Sequence, residues 1–131
     1  MTKIQAIRIL LIIISSTLLL HALILIKIIP YNIAWGGRIQ TDEAMYVFET
    51  LSILLNLILG IALLIKGSFI KQFVGPKIVN VTLWIFLLLF ALNTIGNLLA
   101  KTNFEKFFAI LTLGLCILLV IVLKKPASKN A

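Results

Sequence analysis

Residues 9–26 run for 18 positions without a single Lys, Arg, Asp or Glu. Coiled as an α-helix, a stretch of that length crosses the ~30 Å hydrocarbon layer of a bilayer. Three further apolar stretches follow, at residues 44–65, 78–100 and 107–123. The last is only just long enough unless its helix starts earlier, and TNFE at residues 102–105 supplies an earlier start. Its spacing is that of a capping box, with Thr102 accepting from a backbone N–H while Glu105 reaches back. In hydrocarbon every backbone amide must be satisfied within its own segment, so these stretches read as helices and not as strands. The pattern predicts an all-α, integral membrane four-helix bundle with short loops. Its helices are expected over residues 5–29, 42–66, 77–101 and 103–124, in a single transmembrane domain spanning residues 1–131.

Composition bears on what surrounds this bundle. Hydrophobic residues make up 62% of the chain, against roughly 45–50% in a soluble domain. The few charged residues lie mostly between the apolar stretches. Twelve Lys and Arg against four acids give a net charge of +8. The bases flank apolar segments in ones and twos, which is the membrane pattern. No basic stripe, zinc spacing or stacking platform accompanies them, so nucleic acid is not an expected partner. The lone Cys116 excludes an intramolecular disulfide and a Cys-only metal site. The basic start MTKIQAIR suits a signal peptide, but the run behind it exceeds the usual apolar region and no A-x-A site precedes Pro30. The first stretch is therefore read as a permanent helix.

Charge asymmetry predicts orientation. Lys3, Arg8, Lys66, Lys71, Lys77, Lys124, Lys125 and Lys129 lie on the side of the termini, and Lys27, Arg38, Lys101 and Lys106 on the other. The excess places both termini in the cytoplasm of a cell whose inner (plasma) membrane holds the chain. All four acids, Asp42, Glu43, Glu49 and Glu105, fall toward the outer side. The connections have 17, 12 and 6 residues, which leaves no room for a second domain. In the middle one, Gly67, Gly75 and Pro76 mark turns, and Phe69, Ile70, Phe73 and Val74 among lysines suggest a segment on the inner headgroups.

Polar side chains inside apolar helices are costly and mark function or helix pairing. Glu49, Ser52, Asn56 and Gly60 recur at spacings that place them on one face of the second helix. Asn93, Gly96, Asn97 and Ala100 do the same on the third, and both faces are expected to look into the bundle and meet. Thr17 and His21 are four apart on the first helix; Glu105, Ala109, Thr112 and Cys116 share a face of the fourth. Counted from the outer surface, His21, Glu49, Asn93 and Asn97 lie at depths of roughly 6–12 Å, in one layer. The connection PYNIAWGGRIQTDE would cover that layer, with Arg38 offsetting negative charge and Tyr31 and Trp35 anchored at the interface. Glu49, His21, Asn93, Asn97, Asn56 and Arg38 are thus the candidate ligand-binding residues. Each also has a structural reading: Glu49 as hydrogen-bonded glue, His21 as a packed core histidine, the asparagines as interhelical bonds, Gly36-Gly37 as a tight turn. No metal or cofactor is expected, because His21 is the sole histidine.

The segments WGGR, FETLSILLN and LNTIGNLLAKTNFEKFF resemble small four-helix bacterial membrane proteins with no assigned activity, a likeness that implies the fold and no mechanism. Small multidrug resistance transporters are similar in size and helix count but carry their key Glu on the first helix, where this chain has none. The four-helix eicosanoid and glutathione enzymes of membranes have Arg-rich inner faces that are missing here. Three functions stay open. One is binding or transport of a small cation, proton or amphipathic molecule at an outward-facing pocket, with pH-dependent binding. The second is an accessory, immunity-type or partner-binding role, as a homodimer or with a partner membrane subunit. The third is an intramembrane enzyme acting on a lipid or isoprenoid, which lacks a nucleophile or metal.

Overall fold

In a computed structural model of the chain, residues 1–33 and 38–125 are described. The readings of Trp35 as an anchor and of Gly36-Gly37 as a turn, and the charge of Lys129, lie outside the described residues. Four long α-helices make up the fold: α1 (Lys3–Leu25), α2 (Asp42–Lys66), α3 (Pro76–Leu98) and α4 (Asn103–Leu123). A short 3-10 turn, Tyr31–Ile33, follows α1, and no strand occurs among the described residues. Each of the four is long and apolar enough to cross a membrane, so the architecture is that of a chain compatible with a multi-pass membrane protein.

Local chemistry sets where each helix begins. Thr2 and Gln5 form a full capping box at the start of α1, each satisfying a backbone N–H of the other. The T-x-x-Q signal was present in the sequence, and it starts α1 two residues before the expected position. Thr41 caps α2, and Asp42 and Glu43 sit in its first turn, where the positive end of the helix dipole favours acids. Pro76 occupies the first turn of α3, where its missing N–H costs nothing. Thr102 caps α4 as its spacing predicts, accepting from the Glu105 N–H. The Glu105 carboxylate does not reach back to the Thr102 backbone; it accepts from the Thr102 hydroxyl at 2.8 Å.

The ends of α1 and α2 share one device. The N–H groups of Lys27 and Ile28 bond to the carbonyls of Ile24 and Leu23, and those of Ser68 and Phe69 to Ile65 and Leu64. This is the Schellman pattern, which needs a left-handed residue just past the helix. Lys27 (φ 62°) and Ser68 (φ 59°) take that conformation although neither is glycine. Gly67 serves a different purpose: a Cβ there would lie 2.7 Å from the Phe69 ring. The Lys27 turn ends α1 at Leu25, four residues earlier than the sequence pattern suggests, because the apolar residues 26 and 28–29 continue the hydrophobicity without continuing the helix.

Packing follows chain order. α3 lies most closely on α4 and α1 on α2, while α1 with α4 and α2 with α3 make looser contacts that complete the bundle. The half of the bundle nearest the termini holds one apolar core, in which Ile7, Leu10, Leu63, Leu83, Leu119 and Val122 are sealed from solvent. Among the described residues, the other half holds a small cluster of Ile24, Ile39 and Met45, together with polar contacts.

Candidate functional site

His21 lies near the end of α1 and Glu49 two turns into α2, and the antiparallel pairing of these helices brings them together. His21 Nδ1 stands 2.5 Å from Glu49 Oε2. The Glu49 side chain is 0% exposed and that of His21 14%, so this contact is shielded from solvent on nearly all sides. A carboxyl group buried in this way is costly unless hydrogen bonds or a cation compensate. The imidazole offers it a hydrogen-bonding partner.

Residues on both elements close the site from the end of the bundle opposite the termini. Met45 lies one turn before Glu49 on the same face of α2, and Ile24 three residues after His21 on α1. Ile39, from the connection between the helices, is 4% exposed and packs with both. Covalent continuity and charge hold this cap in place. Lys27, at the end of α1, pairs with Asp42 at the start of α2 and stands 5.7 Å above the Tyr46 ring. The hydrogen bond to Asp42 raises the Lys27 pKa above its ordinary value. The connection is tied to α4 as well, because Arg38 lies 3.6 Å from Glu105.

Several expectations change here. Arg38 is solvent-exposed and pairs with Glu105, while His21 is the residue in contact with Glu49 across α1 and α2. Asn56 is half-buried and donates to the Ser52 carbonyl of its own helix at 2.8 Å, a bond within α2 and not across the bundle. The face of α2 that carries Glu49 and Gly60 turns toward α1, where Gly60 approaches Ile14, and not toward the asparagines of α3. On α3, Asn93 and Gly96 are exposed and Asn97 is half-buried. The residue of that segment that faces the core is Thr94, whose hydroxyl lies 2.8 Å from Thr112 of α4. Spacing identifies residues that share a face but not the direction in which the face points. The rotation of α3 is set by Val79, Leu83, Phe86 and Thr94 packing inward, and a step of about 100° per residue turns Asn93 away from Thr94.

The α4 face is as expected for Ala109, Thr112 and Cys116, all buried, with the Cys116 thiol 3.9 Å from the Leu87 carbonyl. Sequence reasoning missed Thr94 and the contact of Lys66 Nζ with Asn80 Oδ1, 2.5 Å apart at the other end of the bundle. A threonine in α3 facing one in α4 was the available signal for the first; Lys66 had been counted only as a flanking charge.

Glu49 is sealed from solvent and His21 nearly so. Two cavities among the described residues lie elsewhere, one beside the start of α1 and one between α2 and α3. Set against models of protein families, curated proteins and solved structures, the chain matches none. The chemistry of the site therefore rests on its own geometry. An imidazole and a carboxylate in contact can hold one proton between them, take up a second, or release the first, and each change alters the net charge of a water-poor site.

Proposed function

We propose that the chain is a multi-pass protein of the plasma (inner) membrane with both termini cytoplasmic, and that His21 and Glu49 form a proton- or cation-binding site held in an occluded state. The observation that carries this reading is the 2.5 Å contact between a largely shielded histidine and a fully buried glutamate. Apolar side chains of similar volume would pack such a position at least as well as an ion pair. A pair that can gain or lose a proton is therefore better suited to exchange than to packing. Ile39 and Met45 cover the site from outside, and the connection bearing Ile39 is held by ion pairs at Lys27 and Arg38. Displacing that connection would admit water, a cation or the polar end of an amphipathic molecule to Glu49. In this reading Asn97, half-buried on α3, lies on the route and Asn93 on the outer surface.

A second reading, an accessory or partner-binding protein without transport of its own, is favoured by the burial of the pair, which leaves Glu49 0% exposed. Proton and cation flux across liposomes containing the purified chain separates the two. Glu49→Gln keeps the shape of the side chain and removes its charge, and is expected to abolish pH-dependent flux between about pH 5 and 8. Flux that is indistinguishable between parent and variant, or absent from both, replaces the transport reading with the accessory one.

A further inference from the structure

We propose that the end of the bundle bearing the termini carries a binding site for one anionic phospholipid, its phosphate held by Lys66 and Lys3 and an acyl chain lying in the groove between α2 and α3. The proposal rests on the reading of the chain as a membrane protein.

Charge is the first argument. Lys3, Arg8, Lys66, Lys71, Lys77, Lys124 and Lys125 share this end, and all four acids lie toward the other. The three ion pairs among the described residues are at the acidic end too, and among those residues no carboxylate pairs with these cations. Lys66 is half-buried and aimed across the helix interface, with Nζ 2.5 Å from Asn80 Oδ1 on α3. An ammonium group has three donors, and this contact uses one. Lys3, at the first residue of α1, lies at the same end of the bundle and is half-buried too. Two partly buried cations at one end of a membrane bundle favour an anion between them. The first turn of α3, capped by Gly75 without a side-chain acceptor, adds its positive dipole end on the same side.

Shape is the second argument and decides what kind of anion. Ile65 and Val79, the chain neighbours of Lys66 and Asn80, open a groove of about 160 Å³ that continues along Ile58, Ile61 and Ala62 of α2 and Thr82 of α3. Phe73 and Val74 of the α2 to α3 connection line it as well. The Lys66 to Asn80 contact, each member one residue along the chain from a groove-lining residue, puts a cation beside an apolar groove, which matches an amphiphile with a phosphate head and a hydrocarbon tail. A free phosphate would have no use for the groove, and a zwitterionic lipid would bring its own cation to the lysines.

Native mass spectrometry of the full chain, released from detergent after titration with phosphatidylglycerol or phosphatidylcholine of identical acyl chains, tests the site. One phosphatidylglycerol is expected to bind in preference to phosphatidylcholine, and Lys66→Gln and Lys3→Gln are each expected to weaken it about fivefold. Thr82→Phe fills the groove and should weaken the same lipid without changing any charge. Lys124→Gln, at the same end but outside the groove, should leave binding as it is. Equal binding of the two lipids, or an effect of Lys124→Gln as large as that of Lys66→Gln, overturns the local site, as does a second copy of the chain that competes with lipid for the groove. If Lys66→Gln fails to fold, Lys3→Gln and Thr82→Phe decide the matter. Carbonate extraction from cell membranes is run alongside: release of the chain into the soluble fraction would overturn the membrane reading itself, whereas retention with no lipid preference overturns only this site.

Discussion

Glu49 shows how much one contact can decide at the scale of a residue. Its identity and register were plain in the sequence, but its partner was not, because His21 and Arg38 were both within reach of the same layer and only the packing of α1 on α2 chooses between them. The pairing makes a double-mutant comparison informative. Removing one member of a buried pair leaves the other charged and uncompensated, at a cost of about 3–5 kcal/mol, whereas replacing both with apolar groups is close to neutral. His21→Leu is therefore expected to lower stability markedly and His21→Leu with Glu49→Leu to recover most of it, as read by denaturant unfolding in detergent. Equal losses in the single and double variants would mean that the pair is not ionised. Lys27 makes the opposite case. Its partner Asp42 is exposed, and so is Lys27. Because Asp42 raises the Lys27 pKa, the stability this contributes is fully present below the ordinary lysine range and disappears only as pH rises through the raised value. Near neutrality Lys27→Ala should thus show no pH dependence from this pair, and a small loss of stability that shrinks as salt is added. A thermal unfolding series in salt at two pH values checks both.

At the scale of the element, helix starts were readable from local chemistry and helix faces were not. Caps act within a few residues, so Thr41 and Thr102 were visible in the chain itself, and Thr2 with Gln5 would have been. The inward face of α3 depends on what α4 offers, and Thr112 draws Thr94 inward at the expense of Asn93. The same dependence explains Ser68, which adopts a left-handed conformation because the closing hydrogen bonds of α2 require one, while Gly67 is kept small by Phe69. Such a conformation costs a residue with a Cβ roughly 1–2 kcal/mol. Ser68→Gly is expected to recover up to about 1 kcal/mol, less than the full strain because glycine also gains freedom in the unfolded chain. Gly67→Ala should destabilise by forcing the Phe69 ring aside. A rise in unfolding midpoint for the first and a fall for the second is the expected pattern.

The whole molecule divides into an apolar half and a polar half. One core seals α1 to α4 near the termini, and the opposite half is held by the His21 to Glu49 pair, the small cluster around Ile39, and surface ion pairs. Contacts that depend on charge are easier to open than a close-packed core, so motion is expected at the acidic end. The orientation proposed for the bundle puts that end outside. A membrane-impermeant thiol reagent should therefore label Gln40→Cys, an exposed position, in intact cells. Labelling that requires permeabilised membranes would reverse the topology, and with it the side from which His21 and Glu49 are reached.

Apolar length, the amide requirement of hydrocarbon and the positions of caps and charges are properties of the chain read in order. They were sufficient for four helices, for the starts of α2 and α4, and for Glu49 and His21 as the residues to watch. What the tertiary structure decided was which surfaces meet. It turned the Glu49 face to α1, moved Arg38 to Glu105, left Asn93 outside, and brought Lys66 to Asn80. The physical reason is that a periodic stripe specifies residues sharing a helix face, while the rotation of that face about its axis is a compromise among neighbours far away in sequence.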